Sequence, residues 1–107
     1  MPKLYISVDV ETSGPTPGKY SLLSLGACVV GNTNLTFYRE IKPLTYTAIL
    51  EALKVCAPGF HSLDAYRHLP EFDPSNPQFS PQKVLEVLFE KGEEPVFALA
   101  DFAEWTK

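Results

Sequence analysis

The sequence is short of most features that mark a thiolate-metal, secreted or membrane protein. Only two cysteines occur in 107 residues, Cys28 and Cys56, and neither has a second Cys or a His at metal-site spacing. Each sits in an apolar stretch, so buried, reduced thiols are expected. No apolar run approaches the ~20 residues a membrane span needs. No charged-then-apolar segment opens the chain as a secretory signal would. A soluble cytoplasmic protein with no membrane partner is the expectation. Basic excess is missing too: 13 acidic residues stand against 9 basic, a net charge of −4. That argues against a protein that coats nucleic acid through a basic face. It leaves room for an enzyme acting on nucleic acid, because a carboxylate-rich metal site carries negative charge that bound cations neutralise. Repeats and low-complexity tracts are also absent.

What is present suits one small folded domain over residues 1–107, with 45% hydrophobic and 21% charged residues. From Leu4 to Glu11 the pattern alternates. Leu4, Ile6, Val8 and Val10 fall on one side, and Tyr5, Ser7, Asp9 and Glu11 on the other, which reads as a half-buried strand. A loop rich in Gly and Pro follows over 12–19. A second strand is expected at about 21–30, a tight turn at Gly31–Asn34, and a third strand at about 35–42. So short a turn makes these strands antiparallel. Helices are expected at about 46–56, 81–91 and 95–105. The first would use Ile49, Ala52, Leu53 and Cys56 as one face. The second opens on a Ser80 cap with Pro81 and closes at Gly92. The third would bury Val96, Leu99, Phe102 and Ala103 and leave Asp101 and Glu104 to solvent. Residues 60–79 read as a long irregular loop, with at most a turn of helix after Ser62. The fold class is α/β (α+β): a three-stranded antiparallel meander followed by helices.

The chemistry lies in Asp9-Val10-Glu11-Thr12. Residues two apart in a strand share a face and are separated by roughly 6.5–7 Å. Carboxylates so placed can lean together around a pair of hard cations, which lie about 3.5–4 Å apart in two-metal sites. Oxygen ligands without imidazole or thiolate favour Mg2+ or Mn2+. Without a cation the like charges repel, so a metal makes the pair favourable. The small residues Thr12-Ser13-Gly14 would let backbone approach a sugar or phosphate closely. By itself an Asp-x-Glu at a strand end also fits a strand that has merely reached solvent.

Context favours the first reading. The stretch Tyr5-Ile6-Ser7-Val8-Asp9-Val10-Glu11-Thr12-Ser13-Gly14, followed by Leu22-Leu23-Ser24-Leu25-Gly26-Ala27-Cys28-Val29-Val30, resembles the first motif and second strand of the DEDD-type 3′–5′ exonucleases. These are proofreading and RNase T-like enzymes of ribonuclease H-like fold. Ile41-Lys42-Pro43, Glu51-Ala52-Leu53-Lys54-Val55 and Phe102-Ala103-Glu104-Trp105 resemble the continuation, so the likeness covers nearly the whole chain apart from 60–79. It implies that Asp9 and Glu11 are catalytic metal ligands of a two-metal Mg2+ or Mn2+ site, with Asp9 bridging both ions. It further implies that Thr12 faces the terminal nucleotide and that Leu53 wedges beside its base. The substrate implied is single-stranded or 3′-terminal nucleic acid, DNA or RNA.

The resemblance also implies two further acidic residues and a His or Tyr that activates water, none of which appears before Lys107. His68 and Asp73 have the spacing of the family's last motif, but Pro70 between them would break the helix that carries it. His61 has no partner at ligand spacing. The chain is therefore expected to be the N-terminal portion of such an exonuclease, an incomplete domain inactive alone. In this fold the first strand is central, so its outer edge should be covered by a second copy (a homodimer), another polypeptide or a further C-terminal segment. A non-catalytic module binding protein or nucleic acid is the alternative, and a small β-α protein with an incidental acidic pair is a third reading.

Overall fold

The computed structural model describes residues 4–16 and 19–107, and of Thr33 the backbone only. Part of the expected loop over 12–19 thus lies outside the described residues. Three strands form one antiparallel sheet in the order β1-β2-β3: β1 is Ile6–Thr12, β2 is Leu22–Val29 and β3 is Asn32–Glu40. Helices follow, giving the expected α+β meander. The turn between β2 and β3 is tighter than expected. It consists of Val30 and Gly31, and Gly31 takes it through φ +89, a region that a side chain would disfavour. β3 therefore starts at Asn32 rather than near residue 35.

Alternation gives the sheet two different faces. Val8, Ala27 and Phe37 are paired across the three strands, as are Val10, Leu25 and Arg39. That face receives α3, Pro95–Trp105, through Ala98, Phe102 and Trp105. The Phe37 ring lies 5.4 Å from Phe102 and 5.8 Å from Trp105. Above it the Arg39 guanidinium covers the Phe37 ring and reaches Glu93 at 3.2 Å and Asp101 at 3.8 Å. Asp101 and Glu104 face solvent as expected, and Asp101 in addition pairs with Arg39.

The packing of α3 departs from expectation. Among its apolar residues Ala98 is buried, whereas Val96, Phe97 and Leu99 are exposed. The helix covers β2 and β3 and leaves β1 open: Val8 remains 50% exposed and Val10 47%. β1 is an edge strand here, with Ile6 packed against the α3 side of the core and Val8 and Val10 left uncovered.

A second core lies beyond the sheet, where Leu23 meets Leu53, Cys56, Phe60, Leu63, Phe72, Phe79, Val84, Leu85 and Leu88. Here α1 (Leu50–Cys56) packs with α2 (Pro81–Lys91), which Ser80 caps by accepting from the Lys83 N–H. The stretch 60–79 is far from structureless. It forms short 3-10 turns at His61–Tyr66 and Pro70–Phe72 and contributes Phe60, Leu63, Phe72 and Phe79 to this core. Its polar composition hid four apolar anchors spaced too irregularly for any period.

α1 starts four residues later than expected, and the backbone before it is bonded to the segment around Ser13 and Ser21 instead. The Ser21 hydroxyl accepts from the N–H groups of Leu44 and Thr45, both at 3.0 Å, and the Ile49 N–H donates to the Ser13 carbonyl at 2.8 Å. Those donors are spent outside a helix. Among the described residues no helix is long and apolar enough to cross a membrane.

Candidate active site

The second sheet face carries the chemistry. Asp9 pairs with Gly26, and Gly26 with Tyr38; one step along, Glu11 pairs with Ser24, and Ser24 with Glu40. Direct cross-strand partners point to the same side, so two parallel rows run across the sheet: Asp9-Gly26-Tyr38 and Glu11-Ser24-Glu40. Opposite them stand the C-terminal end of α1 and the turn after it. Together they enclose a cleft of about 250 Å³ lined by Asp9, Glu11, Ser24, Gly26, Tyr38, Val55, Cys56, Gly59 and Phe60. At ~30 Å³ per water, that holds a cation with its hydration shell.

The far end of the Glu11 row is fully engaged. Glu40 accepts from the Tyr38 hydroxyl at 2.6 Å, from the Ser62 N–H at 2.8 Å, from the His61 N–H and from the Ser62 hydroxyl. Partial burial works to raise its carboxyl pKa, but the bonds from Ser62, Tyr38 and His61 outweigh it and hold the group below its ordinary range. Glu40 therefore fastens the His61–Tyr66 turn to the sheet and has little capacity left for a cation. The Tyr38 phenol is pushed well above its usual value, by burial first and then by the bond and charge of Glu40. Burial, reinforced by the Glu11 charge, raises the Cys56 thiol to about 12. Cys56 thus faces the cleft as a neutral thiol and offers no thiolate ligand.

Asp9 and Glu11 remain as two carboxylates on one wall of this cleft. Their oxygens suit a hard cation and do not suit a thiolate-seeking one. Among the described residues no group of three or more His, Cys, Asp or Glu is arranged to hold a metal. Two carboxylates binding through one oxygen each would fill two of the six positions around an octahedral cation.

The other sequence candidates are scattered. Thr12 follows Glu11 after a register shift in β1, donates its hydroxyl to the Gly14 carbonyl at 3.0 Å and borders a neighbouring hollow with Tyr20 and Leu44. Leu53 is 0% exposed in the second core and does not line the cleft. A side chain with no free surface cannot wedge beside a base. Val55, two residues on, is 79% exposed and does line the cleft. His68 and Asp73 flank the Pro70–Phe72 turn, away from the cleft. Hydrogen bonds from Ser75 occupy Asp73 and lower its pKa. His61, without a partner at ligand spacing in the sequence, has its ring centroid 5.2 Å from that of Tyr38.

Tyr38, Glu40 and Cys56 escaped sequence reasoning. The two β3 residues do share a parity two positions apart, as Asp9 and Glu11 do. Linking the pairs requires the strand register, which depends on where the turn falls.

No protein-family model matches the chain. It is similar to the 3′–5′ DNA exonuclease Cap18 of Escherichia coli, with 35% identity over 103 residues. The match takes in 96% of this chain and 42% of that protein, so the chain spans about two fifths of the relative's length. This bears out the resemblance to the 3′–5′ exonucleases, and it fits the N-terminal part of one.

Proposed function

From this kinship with a 3′–5′ DNA exonuclease, we propose that Asp9 and Glu11 are the metal-binding half of a phosphodiester-hydrolysing site. The substrate proposed is a 3′-terminal strand of DNA, following the relative's activity. The observation that carries the reading is that both carboxylates line a single cleft. Mg2+ or Mn2+ held there would act as a Lewis acid on a phosphate oxygen. The roles of this chain's residues follow from their chemistry. Asp9 and Glu11 supply ligand oxygens, Val55 offers an apolar wall, and the neutral Cys56 thiol adds no charge to repel a phosphate. Leu53 drops out because it is buried, and Thr12 would meet the strand only beyond the cleft.

With Asp9 and Glu11 as the carboxylates of the cleft and no larger ligand cluster among the described residues, this chain by itself should bind a divalent cation weakly and cleave nothing. The small number of acidic groups at the cleft equally suits the second reading, a module that binds without cleaving.

The test is a manganese titration followed by calorimetry on the wild type and on Asp9→Ala combined with Glu11→Ala, beside a 3′-labelled oligonucleotide cleavage assay. Weak binding that falls at least tenfold in the double variant, without cleavage, supports the half-site. Equal binding by both proteins removes it.

A further inference from the structure

We propose that Tyr38 is the nucleotide-positioning residue of this cleft, its ring receiving the base of the 3′-terminal nucleotide while Asp9 and Glu11 face the phosphate. This deepens the function proposed above and rests on it.

Geometry carries the inference. In the row Asp9-Gly26-Tyr38 the middle position has no side chain, so nothing stands on the sheet between the carboxylate and the ring. A methyl group on Gly26 would lie 3.7 Å from the Tyr38 Cδ1, which shows how closely the ring lies to that bare backbone. The ring therefore extends over β2 and lines the same cleft as the acidic pair. It is also available, with Tyr38 38% exposed, and the His61 ring 5.2 Å away prolongs the aromatic surface.

The ring is held in place before any ligand arrives. Its hydroxyl donates to Glu40 at 2.6 Å and lies 3.4 Å from the Gly59 carbonyl, and Glu40 is itself fixed by the His61 and Ser62 donors. A side chain so braced loses little freedom on binding. The same bracing rules out a competing role. The phenolic proton is committed to Glu40 and firmly retained, so Tyr38 contributes its ring and not acid–base chemistry. Every base has a π-face, so the contact would favour nucleic acid without selecting a sequence.

The experiment compares two single-stranded DNA oligonucleotides in Mn2+, each with a non-cleavable phosphorothioate as the last linkage, one with a normal 3′-terminal base and one with an abasic 3′ end. Wild-type protein should bind the first about tenfold more tightly, Tyr38→Phe should keep the preference, and Tyr38→Leu should bind the two alike. A purely structural role for the ring would weaken both oligonucleotides equally. A folded Tyr38→Leu that retains the preference overturns the proposal. Should that variant not fold, the wild type decides by NMR. Nuclear Overhauser contacts between the terminal base and the Tyr38 ring support the proposal, and their absence from a saturated complex overturns it. Binding without base preference in the wild type removes the positioning role alone. No metal-dependent binding of either oligonucleotide removes the proposed function with it.

Discussion

Tyr38 donates its phenolic hydrogen to Glu40, two residues farther along the same strand, and the bond is 2.6 Å long. A tyrosine and a glutamate on one strand face usually stand side by side in solvent. Here the glutamate is drawn into four donors, and the pair becomes a bracket between the sheet and the turn at His61–Tyr66.

Glu40→Gln should loosen that bracket. The folded state lowers the Glu40 pKa, so its stabilisation is present above the ordinary value near 4.5 and is lost as pH falls below it. The variant should be less stable at neutral pH by about 1 kcal/mol, a modest figure because the group is partly exposed. Its stability should also fall less steeply with acid. Hydrogen exchange checks the location: the amides of His61 and Ser62 should lose protection first, and unchanged protection would contradict the bracket.

Cys56 makes the opposite prediction at the alkaline end. The fold raises its thiol from about 9 to about 12, so the neutral thiol's contribution is intact below about 9 and disappears as pH rises towards 12. Urea unfolding of Cys56→Ala across that range should show a shallower alkaline decline than the wild type, by up to one proton. Identical slopes would mean that the thiol ionises freely in the folded protein.

Gly92 is a steric requirement. A Cβ there would lie 2.5 Å from both the Leu88 carbonyl oxygen and the Lys42 nitrogen, and both are backbone atoms that cannot swing aside. Gly92→Ala should cost about 2 kcal/mol or more in chemical denaturation, with far-UV circular dichroism of the folded state little changed. A neutral effect would show that the α2–α3 junction yields.

The uncovered row on β1 predicts association. Val8 and Val10 are about half exposed beside an unpaired strand edge. Sedimentation velocity should show concentration-dependent self-association of the wild type that Val10→Lys suppresses. A wild type that sediments as a monomer at every concentration would remove the prediction.

The parts of the fold written in local chemistry were legible. The alternation around Asp9 and Glu11, the Ser80–Pro81 cap of α2 and the Pro95 start of α3 each involve neighbours in sequence. What stayed hidden depends on distant partners. Ahead of α1, the N–H groups of Leu44, Thr45 and Ile49 bond to Ser21 and Ser13, contacts across more than twenty residues that no helix propensity records. The buried face of α3 is set by Phe37 and lies closer to Ala98, Phe102 and Trp105 than to Val96 and Leu99. In the cleft, the acidic pair shows in the sequence as a tripeptide. The aromatic end of its row shows only once the register of β2 against β3 is known.

The pairing of Ile41 with Glu93 joins the end of the meander to the α2–α3 junction, with the Lys42 N–H donating to the Glu93 carbonyl and the Glu93 N–H to the Glu40 carbonyl. That short parallel bridge closes a loop of roughly 50 residues, whereas the β2–β3 hairpin closes across two. Loop-closure entropy delays the long-range contact until the local ones exist. On that ground the hairpin is expected in the folding nucleus and the bridge on the downhill side of the barrier. Gly92→Ala should then accelerate unfolding and leave the refolding rate nearly untouched.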